Sequence, residues 1–105
     1  MKHVKTFETY NINNIEIGNY VIMKSKLGWD EYDTFIDNNI GIVYNISNLI
    51  NYEVGVRYAN VPNKSDIKEY FSEYGYRLFQ TSQIEYMSNN KEELETILQA
   101  KKYNL

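Results

Sequence analysis

The chain has no cysteine, and only one histidine (His3), one proline (Pro62) and one tryptophan (Trp29) in 105 residues. Without thiols there is no disulfide framework, no thiolate metal site and no cysteine nucleophile, a usage that suits a reducing compartment. His3 has no sequence-local partner that marks a base, and the serines stand outside any nucleophile-elbow context. No glycine-rich phosphate loop or zinc spacing occurs. The expectation is therefore a protein without catalytic residues, metal or cofactor. Long apolar runs are missing as well: nothing approaches the ~18 residues of a membrane span, and the opening MKHVKTFETY lacks a signal-peptide core. A cytoplasmic location is expected. Positive charge is also short, with 11 Lys and Arg against 14 Asp and Glu for a net charge of −3. The cations are scattered, which excludes the concentrated basic face that duplex DNA requires.

What is present is apolar and aromatic. Hydrophobic residues make up 43% and aromatic residues 15%, with 11 tyrosines, so the chain lies outside the disordered class and has enough apolar surface for one core. A single domain over residues 1–105 is expected. The abundance of Ile, Asn, Tyr and Lys beside two Arg and two Ala reflects AT-rich coding DNA, and points to a low-GC bacterium, or a phage or mobile element living in one. Tyrosine buries a ring while its hydroxyl stays wet, so some of these residues build the core and others face a partner; with exposed strand edges they also allow a homodimer.

Period-2 patterning dominates the first two thirds. In NYEVGVRYAN, Tyr52, Val54, Val56 and Tyr58 alternate with Asn51, Glu53, Gly55 and Arg57; in NIGIVYNI, Ile40, Ile42, Tyr44 and Ile46 share one face. The two read as an antiparallel hairpin. An earlier strand, IEIGNYVIMKSK, is interrupted at Gly18, which suggests a bulge or bend. YRLFQ and IEYMS are two short closing strands joined by Thr81-Ser82-Gln83. Helical spacing takes over twice. After Asn63, Ile67, Tyr70, Phe71 and Tyr74 fall at i, i+3, i+4 and i+7, with Gly75 as the stop. Over 90–102, Asn90 caps, Glu93 completes a capping box, and Leu94, Ile97 and Leu98 form a narrow stripe that must cover another surface, such as one end of a barrel. Residues 1–14 are left as an arm or an extra strand.

The stretch LGWDEYDTFIDNN carries the densest chemistry. Trp29, Tyr32 and Phe35 recur every three residues, with Asp30, Glu31 and Asp33 between them and Asp37 just beyond, a combination suited to a basic protein partner. Those seven residues are the candidate contact set. The competing reading is one short helix whose Tyr32, Phe35 and Ile36 plug the core while the acids stay solvated. The acids lack the alternating spacing and central glycine of a calcium loop.

The series Gly18-Asn19-Tyr20-Val21, Asn39-Ile40-Gly41-Ile42-Val43, Tyr52-Glu53-Val54-Gly55-Val56, Arg77-Leu78-Phe79 and Ile84-Glu85-Tyr86 resembles small SH3-like barrels, KOW and Tudor-type modules among them, over residues 15–88. That resemblance implies a mainly β chain: one five-stranded barrel with a short helix before the closing strands and a C-terminal helix. It places LGWDEYDTFIDNN at the long first loop, which peptide-binding SH3 domains use for basic ligands. KOW modules are usually basic where this chain is acidic, and peptide-binding SH3 domains carry their ligand tryptophan later than Trp29. The expected function is a non-catalytic protein-binding module. In size, charge and codon bias the chain also resembles small acidic phage and mobile-element inhibitors of host nucleases, such as anti-CRISPR proteins. An RNA-contacting KOW-like module is a further alternative.

Overall fold

The computed structural model of the chain describes residues 5–6, 15–25, 28, 30–47 and 53–103. In chain order these form β1 (Lys5–Thr6), β2 (Tyr20–Met23), α1 (Asp30–Asp37), β3 (Gly41–Ile46), β4 (Glu53–Arg57), α2 (Ser65–Lys68), β5 (Tyr76–Gln80), β6 (Ile84–Ser88) and α3 (Lys91–Tyr103). A single 3-10 turn, Thr81–Gln83, links β5 to β6. No helix among the described residues is long and apolar enough to cross a membrane.

All the strands join one antiparallel sheet in the order β1-β6-β2-β3-β4-β5. The mainly β class is therefore as expected. Closure into a barrel is not: among the described residues β1 and β5 end the sheet, and no ladder joins them. The outer edge of β5 is instead occupied at its two ends. Ser72 donates its N–H to the Tyr76 carbonyl at 2.9 Å and accepts the Tyr76 N–H on its hydroxyl at 3.1 Å. Further along, Gln80 N–H donates to Gln83 Oε1 at 3.0 Å. Backbone groups occupied this way offer little template for an added strand.

Alternation divides the sheet into two faces. The inner face carries Val21, Met23, Val43, Val54, Val56, Phe79, Ile84 and Met87, on which α1 sets Tyr32, Phe35 and Ile36 and the α2 segment sets Ile67 and Phe71. On the opposite face of β2 and β6, α3 seats Leu94 and Ile97 against Ile22, with Tyr20, Tyr86, Ile40 and Leu98 around them. The narrow stripe of α3 thus covers half of an outer sheet face, not the end of a barrel. Asn90 caps that helix, its Oδ1 accepting the Glu92 N–H at 3.0 Å, while the Glu93 carboxylate accepts the Ser88 hydroxyl at 3.3 Å.

Three local expectations need correction. The strand expected from Ile15 begins at Tyr20, because Glu16 to Asn19 form a β-turn closed by Asn19 N–H on the Glu16 carbonyl at 3.1 Å with Gly18 at φ 97°. Gly18 is a turn residue. The helix expected over 63–75 stops after the four residues of α2: Tyr70 and Phe71 bond back three residues instead of four, and Tyr58 N–H holds the Gly75 carbonyl at 2.9 Å, fixing the chain for entry into β5. Gly75 lies at φ 84°, and any Cβ there would collide with the Tyr58 carbonyl. Lastly, Ile40, Ile42, Tyr44 and Ile46 do not share a face. Val43 pairs with Val56 but Asn45 pairs with Gly55, so Tyr44 is the extra residue of a bulge. Ile46 consequently packs inward, while Ile42 stands on the outer face at 37% exposure.

Candidate functional site

Hydrogen bonding ties the β2–α1 connection to its own helix. Asp33 accepts the Ser25 hydroxyl and the Gly28 N–H, the latter at 3.0 Å, and Asp37 accepts the Ser25 N–H at 3.3 Å. Burial pushes the Asp37 carboxyl above its ordinary range, against the opposing pull of the Ser25 N–H and Lys101. At the other end of α1, the side-chain amides of Asn38 and Asn39 donate to the carbonyls of Thr34 and Phe35, each at 2.8 Å, satisfying groups a helix end leaves open.

The seven residues expected to form one contact set are thereby divided. Tyr32 and Phe35 are core side chains at 2% and 8% exposure, which corrects their expected role as partner contacts: a helix of period 3.6 turns Tyr32, Phe35 and Ile36 onto the sheet together. Asp33 and Asp37 are half-buried and engaged within the chain, whereas Glu31 is exposed. Trp29 and the side chain of Asp30 lie outside the described residues, as does His3. Burial, opposed by the nearby Arg77 cation, pushes the Tyr32 hydroxyl up to about 12.

Arg77 explains part of that packing. Its guanidinium lies 5.2, 5.4 and 5.7 Å from the ring centres of Tyr32, Tyr70 and Phe79, and Nη1 donates to the Tyr70 carbonyl at 2.8 Å. The cation is thus held by rings on the inner face, where β5 pairs Arg77 with Val56. Two cavities adjoin this layer. A groove of about 350 Å³ between α1 and the start of α2 has Phe35, Pro62 and Ile67 in its walls with Glu31 and Lys64 beside them, and a pocket of about 70 Å³ lies by Tyr20, Arg57 and Tyr58. No group of three or more His, Asp or Glu among the described residues is placed to hold a metal ion.

Among the described residues, four large apolar side chains are exposed; Ile17 stands alone in the turn before β2, and Ile42, Tyr74 and Leu78 lie on or beside the outer face of β3, β4 and β5, the half that α3 leaves open. Gly55 is its centre. An added Cβ would lie 2.7 Å from the Tyr44 ring, so the missing side chain is what lets that ring lie across β4. Tyr44 meets Tyr76 with ring centres 4.3 Å apart, Arg57 sits 5.9 Å over the Tyr76 ring, and Tyr74 follows 6.4 Å beyond. Leu78, paired with Gly55, is 52% exposed, and Tyr74 is 66% exposed. Glu53 and Arg57 stand at the two ends of β4 on this same face. The patch exists only in the register of three strands, and its one local trace in the sequence is the glycine between valines opposite a tyrosine-bearing strand.

No family model, curated protein or solved structure matches the chain.

Proposed function

We propose that the protein is a non-catalytic protein-binding module whose contact surface is the open half of the outer sheet face. One observation carries this reading: exposed Ile42, Arg57, Tyr74 and Leu78 lie around the half-buried, contacting rings of Tyr44 and Tyr76 on or beside a sheet face whose other half is already covered by α3. Tyrosine and arginine are the residue types that dominate binding energy at protein interfaces, because they bring large contact area at small entropic cost. An apolar patch of this kind on a small domain marks an interaction surface. Strand addition at β5 is disfavoured as the binding mode, since Ser72 and Gln83 occupy backbone groups at the two ends of its outer edge.

The proposal moves the contact from the acidic first connection to the tyrosine face, and leaves Glu31 and the groove beside Lys64 as a secondary surface. It takes the fold as an SH3-like barrel in the making: β2 to β5 run as a meander and β6 returns beside β2, an arrangement in which curling the sheet brings its ends together. The test uses the full chain as bait in a low-GC bacterial lysate, beside Leu78→Arg and Trp29→Ala. A partner recovered by wild type and Trp29→Ala but lost from folded Leu78→Arg is the expected result. Loss with Trp29→Ala and retention with Leu78→Arg would return the contact to the first connection.

A further inference from the structure

We infer that the occupant of the tyrosine face is a second copy of this chain, packed sheet to sheet about a two-fold axis that crosses β4 at Gly55. This rests on the reading of that face as a contact surface and goes on to name the partner. Charge is the first argument. Glu53 and Arg57 lie on the same face of β4, each two residues from Gly55, with opposite sign. They are about 13 Å apart along an extended strand. A two-fold axis lying between the sheets and perpendicular to β4 reverses the strand, so Glu53 of one copy stands over Arg57 of the other and the reverse pair forms by symmetry. An isologous interface demands this self-complementarity. A partner of one strong charge would leave either Glu53 or Arg57 facing its own sign.

Shape is the second argument. On that axis Gly55 and its neighbour Leu78 lie over their own copies, and the Tyr44 ring lies flat across the glycine instead of standing up from the sheet. Two such faces, each low at Gly55 where the Tyr44 ring crosses it and carrying one leucine beside it, meet at the ordinary ~10 Å spacing of packed sheets. Ser72 and Gln83 occupy the two ends of the β5 edge, which favours pairing face to face over a continuous edge-to-edge ladder there.

Sedimentation equilibrium on the full chain tests this with charge reversals. Arg57→Glu and Glu53→Arg each juxtapose like charges twice across the axis, and each is expected to weaken self-association about tenfold or more. Mixing the two single variants places acid over base at both positions and restores a heterodimer; the double reversal in one chain restores the homodimer. Loss of the Arg57 contact with Tyr76 would weaken every chain carrying Arg57→Glu, so rescue in the mixture and in the double variant separates charge pairing from local packing. Thermal melts confirm that each variant is folded. A wild type that stays monomeric up to about 200 μM, or single variants that associate as wild type does, overturns the second copy as occupant. The broader reading falls separately, when folded Leu78→Arg keeps every partner that wild type binds.

Discussion

Gly55→Ala separates the stability of this protein from its association. The added Cβ would lie 2.7 Å from two atoms of the Tyr44 ring and 3.0 Å from its hydroxyl. Ordinary carbon contacts begin near ~3.5 Å, so something must move by close to an ångström, and the ring at the end of a rotatable side chain gives way before the backbone does. Swinging it out forfeits the 4.3 Å contact with Tyr76, worth about 0.5–1.5 kcal/mol. Against this, alanine in a strand is favoured over glycine by about 0.5–1 kcal/mol. The two nearly cancel, and the melting temperature should move by no more than about 5 °C. Association should fall about tenfold, because a ring that lay flat now stands between the faces. Circular-dichroism melts and sedimentation on the same preparations read both quantities. A melting temperature lowered by more than about 10 °C would show that the backbone yields instead of the ring. Unchanged association in a stable variant would show that the position of Tyr44 is irrelevant to the interface.

Other expectations follow from the same packing. Tyr58→Phe should raise stability by about 1 kcal/mol in urea unfolding, since the Tyr58 hydroxyl is buried among rings with no hydrogen-bond partner among the described residues and burial holds it well above its ordinary pKa; a loss of the same size would reveal a partner. Leu94→Ala should cost about 2–5 kcal/mol, because Leu94 is fully buried between α3 and Ile22; a loss below about 1 kcal/mol would mean α3 is loosely attached. Asp37 has a folded-state pKa above its unfolded value, so its ionisation opposes folding and its contribution falls as pH rises through that window. The melting temperature of Asp37→Asn relative to wild type should therefore climb as pH rises above the ordinary carboxylate range, with the opposite slope contradicting the assignment of burial as the cause.

Much of the fold is legible because its signals are local. Val54 and Val56 alternate with Glu53, Gly55 and Arg57 as a strand should, and Asn90 with Leu94 and Ile97 specifies a capped amphipathic helix from within a single segment. The readings that failed needed partners far along the chain. Ile67, Tyr70 and Phe71 keep helical spacing, but the pairing of Tyr58 with Gly75 ends the helix early. Ile42, Tyr44 and Ile46 read as one face until the bulge at Tyr44 turns Ile46 inward and leaves Ile42 on the outer face. The stripe of α3 says that it covers something and leaves open what; only the order of β6 and β2 in the sheet answers that. At the first connection, Tyr32 and Phe35 satisfy a helix stripe and a binding loop equally well in sequence, and the two differ only once α1 lies on the sheet. The tyrosine face was the least legible part, since its residues come from three strands and its centre is an absent side chain.

The central claim is that β3, β4 and β5 present the associating surface while the acidic connection is tied down on its own helix. A 15N-labelled chain diluted from about 500 μM to about 10 μM tests it residue by residue, because exchange between free and bound states shifts the amides that an interface covers. Concentration-dependent shifts at Ile42, Tyr44, Gly55, Arg57 and Leu78, with Glu31 and Asp33 unmoved, are predicted. Shifts confined to residues 30–37, or none at all over that range, would contradict it.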